Sequence, residues 1–361
     1  MTDRAMIRAE AARLRAAFEA EGAQPVETGI LQPAETLLDL YGEDIRARAY
    51  VTSDALRGEQ MLRPDFTVPV VQMHMEHGAE PACYTYSGEV FRRQEDDPDR
   101  ANEYMQVGFE VFERNSPEAA DARVFALMFN TLAPLGLRAA TGDIGVLMGA
   151  VDGLQTTERR KAALRRHIWR PRRFRALIDR FSGRAAVPES RSALLASDDP
   201  MAGAGPLIGL RSRAEIEARI AALREDAEAD PISENEVALL DAILAVRETC
   251  PNALEHLRDI AVDMPAIRPA VERLERRLEA MQGRGLDVDT LDFEASYGRT
   301  HMEYYDGFVF GFYAEARPDL PPVATGGRYD ALTRQLGQGR EIPAVGGVIR
   351  PGLVVELGGL T

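Results

Sequence analysis

Two runs, Tyr86 to Glu95 and Glu103 to Phe112, constrain the fold of this chain more than any other feature. Each alternates apolar and polar side chains, and a charged stretch separates them, so they read as two strands joined by a loop. Side chains alternate across a strand, so Gln106, Gly108 and Glu110 share one face. An amide and a carboxylate then flank a glycine whose missing side chain leaves space for a ligand. The ligand implied is a small cationic molecule.

A chain of 361 residues with 45% hydrophobic content can bury a large core. No stretch of 18 uncharged apolar residues occurs, and Asp3, Arg4, Arg8 and Glu10 crowd the N-terminus. Neither a membrane span nor a signal peptide is expected, and the expected compartment is the cytoplasm. Two cysteines, Cys83 and Cys250, stand far apart outside any Cys-x-x-Cys pattern. They read as buried thiols and not as a zinc site or disulfide framework. With 58 acidic against 43 basic residues the net charge is −15, which opposes binding to a polyanion.

Apolar residues at Ile7, Ala11, Leu14 and Phe18, with Gly22 following, predict an amphipathic helix over 4–21. Tyr50 to Val71 reads as strand, turn and short helix, and Ser116-Pro117 as the start of a helix reaching Gly136. Another strand and helix are expected between Leu137 and Leu154. From 156 to 282 charged residues recur at helical spacing, so the chain divides into 1–155, a helical insertion over 156–282, and 283–361. Strands are expected again at Val288 to Phe293 and Tyr304 to Tyr313. Arginines crowd 159–180 around Trp169, the only tryptophan: Arg165, Arg166, Arg170, Arg172, Arg173 and Arg175. They admit two readings, a contact for RNA or an acidic partner, or a solvated helix face. His74 and His77 flank Glu76 at helical spacing without an evident third ligand, so no metal site is expected.

Phe91-Arg92 followed by Tyr104, Gln106 and Glu110 resembles the second signature of class II aminoacyl-tRNA synthetases of the histidyl type. Leu62-Arg63-Pro64-Asp65-Phe66-Thr67 is similar to that family's amino-acid loop, and Gly326-Gly327-Arg328-Tyr329-Asp330 to its histidine-pocket motif. Pro25 to Leu40 resembles its first signature, which builds the dimer interface. The resemblance implies an α+β fold, an antiparallel sheet flanked by helices, with the helical region inserted.

The departures fall on the nucleotide side. Thr300 stands where the synthetases carry a catalytic arginine before His301-Met302-Glu303-Tyr304-Tyr305. Arg299 lies one residue away, on the opposite face of a strand unless a bulge re-aims it. Leu353 takes the place of the third-signature arginine in Arg350-Pro351-Gly352-Leu353. Gln94 replaces a carboxylate, and Asn102 replaces a second loop arginine after Arg100. Removing one cation that faces developing charge typically costs about two to three orders of magnitude in rate. The pattern therefore implies an amino-acid site without adenylation chemistry, and no anticodon-binding domain is expected after position 361.

That combination resembles the ATP phosphoribosyltransferase regulatory subunit family, which implies a non-catalytic partner of the short-form catalytic subunit. The family is required for the first step of histidine biosynthesis and for feedback by histidine, and a self-dimer within a hetero-oligomer is expected. No cofactor or catalytic residue is expected. The implied effector is free histidine, bound by Asp65, Thr67, Arg92, Gln106, Glu110, Tyr304, Tyr305 and Tyr329. Its ammonium would meet Asp65, Thr67 and Gln106. Its imidazole would meet Glu110 and a tyrosine hydroxyl; neighbours on a strand face opposite ways, so at most one of Tyr304 and Tyr305 should line the pocket, and the family resemblance favours Tyr305. Its carboxylate would meet Arg92, or Arg299 if a bulge turns it inward. The alternatives are an active histidine-activating enzyme, either a truncated synthetase or a ligase using Arg92 and Arg299, and an RNA-binding sensor using 159–180.

Overall fold

The anticipated hairpin lies near one edge of a nine-stranded sheet in the computed structural model, which describes residues 4–41, 45–93, 100–206, 208–299 and 304–359. The first third of the chain runs α1 (Arg4–Ala20), β1 (Gln24–Pro25), β2 (Leu31–Pro33), α2 (Ala34–Tyr41), α3 (Ile45–Arg48), β3 (Val51–Asp54), β4 (Gly58–Leu62), α4 (Thr67–His77), β5 (Ala82–Phe91) and β6 (Glu103–Phe112). Next come α5 (Pro117–Leu132), β7 (Arg138–Asp143), α6 (Ile144–Gly153), α7 (Glu158–Arg166), α8 (Pro171–Phe181), α9 (Glu189–Ala196), α10 (Arg213–Glu228) and α11 (Glu234–Ala245). The remainder is β8 (Arg247–Thr249), α12 (Cys250–Asp263), α13 (Arg268–Gln282), β9 (Asp292–Glu294), β10 (Phe308–Tyr313), β11 (Ala324–Arg328), α14 (Asp330–Leu336), β12 (Ala344–Ile349) and α15 (Pro351–Glu356).

The main sheet has the order β1-β5-β6-β12-β11-β10-β7-β9-β8, and a smaller one the order β2-β4-β3. Among the described residues, only β1 with β5 and β7 with β9 pair in parallel. Directly opposed residues in an antiparallel pair share a face, so the registers separate the large sheet into two unlike surfaces. One carries the row Glu110, Gly346, Gly327, Val309 and, a step along, Gly108, Val348, Thr325, Gly311. It is rich in glycine and open to side chains reaching in. The other carries Phe109, Phe308, Phe310 and Phe312 and forms the core. Phe18 of α1 meets Phe109 edge-on at 5.4 Å, and Phe125 of α5 packs on all three phenylalanines of β10 at 5.4 to 6.1 Å. Truncating a buried phenylalanine of this kind costs about 3–5 kcal/mol.

Helix α1 buries Ala11, Leu14 and Phe18, a stripe at the i, i+3, i+7 spacing, and ends before Gly22 at φ +89°. Helices α10 and α11 open with capping boxes, Ser212 with Glu215 and Ser233 with Glu236. Ser116 takes the expected position before α5 but makes no side-chain capping bond.

Some expectations need correction. Val288–Thr290 is a single 3-10 turn, and the strand there spans only Asp292–Glu294. Tyr304 and Tyr305 precede β10 and do not lie in it. The stretch from 156 to 282 carries the helices α7 to α13 joined by loops, and β8, which pairs with β9 at the edge of the main sheet. Cys250 is buried as expected, whereas Cys83 is half-buried. No described helix is long and apolar enough to cross a membrane.

Helix α13 is tied to the core by buried charge. Arg277 donates to Asp143 at 2.7 Å and to Asp121 at 3.3 Å, and Arg328 donates to Asp121 at 2.7 Å. Asp143 also caps α6 through the Gly145 N–H at 2.8 Å. All four side chains are buried, so each charge depends on its partner for the solvation it has lost.

Candidate functional site

Glu110 projects from the middle of β6 onto the glycine-rich face, where it is 1% exposed. Three hydroxyls converge on its carboxylate. Thr67 at the start of α4 and Tyr86 of β5 donate to Oε1 at 2.9 and 2.8 Å, and Tyr329, just before α14, donates to Oε2 at 2.5 Å. Burial pushes the Glu110 carboxyl up to about 7, against the opposing pull of the three hydrogen bonds. A carboxylate offers about four acceptor positions, so this one retains capacity for a further donor.

Tyr86 was absent from the sequence-derived set, and it corrects one expectation. The space left by Gly108 holds the Tyr86 ring: a Cβ at 108 would lie 2.1 Å from Tyr86 Cζ. Phe66 stacks on that ring at 4.4 Å and 10°, and the Arg63 guanidinium lies over Phe66 at 3.9 Å. Arg63 itself donates to Glu89 O at 2.9 Å and Thr28 O at 2.7 Å. The Arg63-Pro64-Asp65 segment is therefore the loop between β4 and α4, held rigidly against the hairpin.

Asp65, buried, accepts the Val68 N–H at 3.3 Å and faces the Arg92 guanidinium at 3.9 Å. Arg92 donates from Nε to Pro64 O at 2.6 Å and keeps about a quarter of its side chain in solvent (24%), which marks the open side of the site. Gln106 is 1% exposed, and its Oε1 has no hydrogen-bond partner among the described residues. A buried amide oxygen left so costs about 1–3 kcal/mol; a cationic N–H donor arriving there would remove that cost.

The structure brings Tyr304, Tyr305 and Tyr329 together. The Tyr304 ring meets Tyr305 at 4.9 Å and Tyr329 at 6.1 Å, both edge-on. Because the pair precedes β10, the strand alternation that limited the pocket to one of them does not apply. Tyr305 is buried with Glu110 and Asp65 among its electrostatic neighbours, which together with burial raise its pKa. Its carbonyl accepts the Trp169 indole N–H at 3.2 Å, which joins the α7–α8 connection to this wall.

Arg299 does not turn toward the pocket. Its Nε donates to Ile168 O at 2.8 Å and its guanidinium lies over the Phe174 ring of α8 at 4.9 Å. Gln94, Thr300 and His301 lie outside the described residues. On the nucleotide side, Leu353 packs against the core, Asn102 O accepts the Arg92 backbone N–H at 2.8 Å, and Arg100 is spent on Asp319 O at 2.8 Å.

His74 is a core residue: it bonds the Tyr84 hydroxyl at 3.0 Å through Nδ1 and stacks on Phe112 at 3.9 Å. No group of three His, Cys, Asp or Glu side chains suited to a metal occurs among the described residues. In the arginine-rich stretch, Arg165 pairs with Asp152 and Arg175 with Asp241, and the nearby Arg160 and Arg180 share Asp226. Arg160 is buried in its pair, whereas Arg166, Arg172 and Arg173 are exposed to solvent.

A profile of the histidyl-tRNA synthetase family matches residues 2–204 and 210–351. The ATP phosphoribosyltransferase regulatory subunit of Brucella anthropi is 32% identical over 357 residues, covering 92% of this chain and 93% of the relative. Its namesake from Brucella canis is 31% identical over 354 residues, with the same coverage. Among solved structures, an ATP phosphoribosyltransferase regulatory subunit/histidyl-tRNA synthetase from Bacillus halodurans C superposes with a TM-score of 0.69 at 20% identity, over 99% of this chain and 81% of that one. A histidine–tRNA ligase subunit from Alicyclobacillus acidocaldarius gives 0.61 at 25% identity, over 99% and 94%. These likenesses carry the fold.

Proposed function

The chain belongs to the ATP phosphoribosyltransferase regulatory subunit family, on a histidyl-tRNA synthetase scaffold, and from that premise we propose that it is the non-catalytic partner of a short catalytic subunit. In this role it is required for the first step of histidine biosynthesis and conveys feedback inhibition by free histidine. It works in the cytoplasm, as a self-dimer within a mixed oligomer, and needs no cofactor.

The observation that carries the reading is the contrast between two sets of positions. The groups suited to an amino acid, Asp65, Thr67, Gln106, Glu110 and the tyrosines, stand together and mostly buried. The positions suited to a triphosphate hold Leu353 and an Arg299 turned onto α8. Histidine fits with its ammonium at Gln106 Oε1 and Asp65, its imidazole N–H on a tyrosine oxygen or the remaining acceptor position of Glu110, and its carboxylate at Arg92. The orientation of Arg299 argues against the histidine-activating alternative, and the net charge of −15 against the RNA sensor.

Regulation follows if histidine binds the inhibited assembly more tightly than the active one, since a ligand shifts an equilibrium only by its differential affinity. A coupling of about 1–3 kcal/mol is typical. The test is to mix the chain with a short catalytic subunit and measure phosphoribosyl transfer with and without histidine. Activity is expected to depend on the mixture, and Glu110→Gln is expected to keep that activity while losing inhibition. Undiminished inhibition in the variant would put the histidine site elsewhere.

A further inference from the structure

The cation absent at position 353 has a counterpart three residues earlier. By the register Val348 with Gly108 and Ile349 with Val107, Arg350 continues β12 on the same face as Val348, in the row of Gln106. Its backbone N–H is fixed to Val323 O at 2.9 Å and its Nη1 donates to Pro322 O. Tyr104, two residues from Gln106 on that face of β6, is hydrogen-bonded to the Arg350 side chain. Arg92 approaches from the end of β5, where its N–H pairs with Asn102 O.

Three strand ends thus set two guanidiniums and a phenol on one face of the sheet, with Arg92 and Tyr104 among the electrostatic neighbours of Arg350. Arg92 has Asp65 at 3.9 Å, whereas no carboxylate among the described residues is ion-paired with Arg350. The groups acting on Arg350 are Tyr104, Tyr313 and the like charge of Arg92, and burial with that repulsion lowers its pKa. Two guanidiniums on one face gain most when an oxyanion sits between them, because forked guanidinium contacts to carboxylate or phosphate are the strong, charge-assisted kind.

We infer that Arg350, Arg92 and the Tyr104 hydroxyl form an oxyanion site at the open side of the pocket, for the carboxylate of the bound amino acid or the phosphate of a small nucleotide. The carboxylate version rests on the histidine reading above, with Arg350 setting specificity for an intact amino acid.

Calorimetric titration of the unaltered chain and of Arg350→Gln with L-histidine, with histamine, which lacks the carboxylate, and with ATP separates the cases. Glutamine keeps a donor for Pro322 O and removes the charge. Histidine is expected to bind Arg350→Gln about 10- to 100-fold more weakly, with histamine unchanged. Loss confined to ATP would uphold the cradle and assign it to phosphate. If the variant binds histidine and ATP as the unaltered chain does, the inference is overturned while the pocket stands. If the unaltered chain binds neither, both are overturned. Should Arg350→Gln melt early, Tyr104→Phe replaces it: selective weakening of histidine or ATP upholds the site, and equal affinities overturn it.

Discussion

The Glu110 carboxylate fills the volume that any side chain at position 346 would need: a Cβ built on Gly346 falls 1.4 Å from Glu110 Oε2. The two residues are direct partners across β6 and β12. Gly346→Ala is therefore expected to displace Glu110 from its three hydroxyls, with an overpacking cost of about 1–3 kcal/mol. Thermal melting should show a lowered midpoint, and calorimetry a loss of histidine affinity. A variant with unaltered melting and binding would mean that Glu110 is not held where the registers put it.

Glu110 also gives the fold a pH dependence with a defined sign. Its carboxyl rises from 4.5 to about 7 on folding, so between those values the folded chain binds more protons than the unfolded one. Stability contributed by this group falls as pH rises through that window, by at most on the order of 3 kcal/mol. Asp306, pushed up to about 7 by burial and by Asp330, acts in the same direction, so the unaltered chain alone does not isolate Glu110. Urea midpoints of the unaltered chain and Glu110→Gln at pH 5 and pH 8 do. The unaltered chain should lose ground to the variant at pH 8, and parallel profiles would contradict the shift.

Arg277→Met removes the guanidinium that Asp121 and Asp143 share. Both carboxylates remain buried, and only Asp121 retains Arg328. Breaking one side of such a network costs about 3–5 kcal/mol, to be read as a fall in the urea midpoint. A change below about 1 kcal/mol would show that water reaches Asp143.

The net charge of −15 leads to the expectation that tRNA is not retained. Electrophoretic shift at low and moderate salt should show no complex that weakens steeply with salt, the mark of phosphate contacts. A steep salt-sensitive shift would restore the RNA reading.

The sheet, and the meeting of Thr67 with Glu110, were legible because the strands and the loop that runs into α4 are written in local spacing. Tyr86 was not, because its place over Gly108 depends on the hairpin register, which the charged loop leaves open. Alternation misled at Tyr304 and Tyr305 because the strand begins only at Phe308. The direction of Arg299 depends on Ile168 and Phe174, 131 residues away for the first of these, in a region with no motif of its own. The ion pairs that Arg277 and Arg328 make with Asp121 and Asp143 likewise join positions 134 to 207 residues apart, and nothing local announces them.

The most direct test is histidine-dependent exchange of pyrophosphate into ATP, run beside calorimetry with histidine alone. Histidine bound by the isolated chain with no exchange above background is the expected result, an amino-acid cradle that performs no adenylation. Robust exchange would contradict it, for the cleft would then still hold a working nucleotide half.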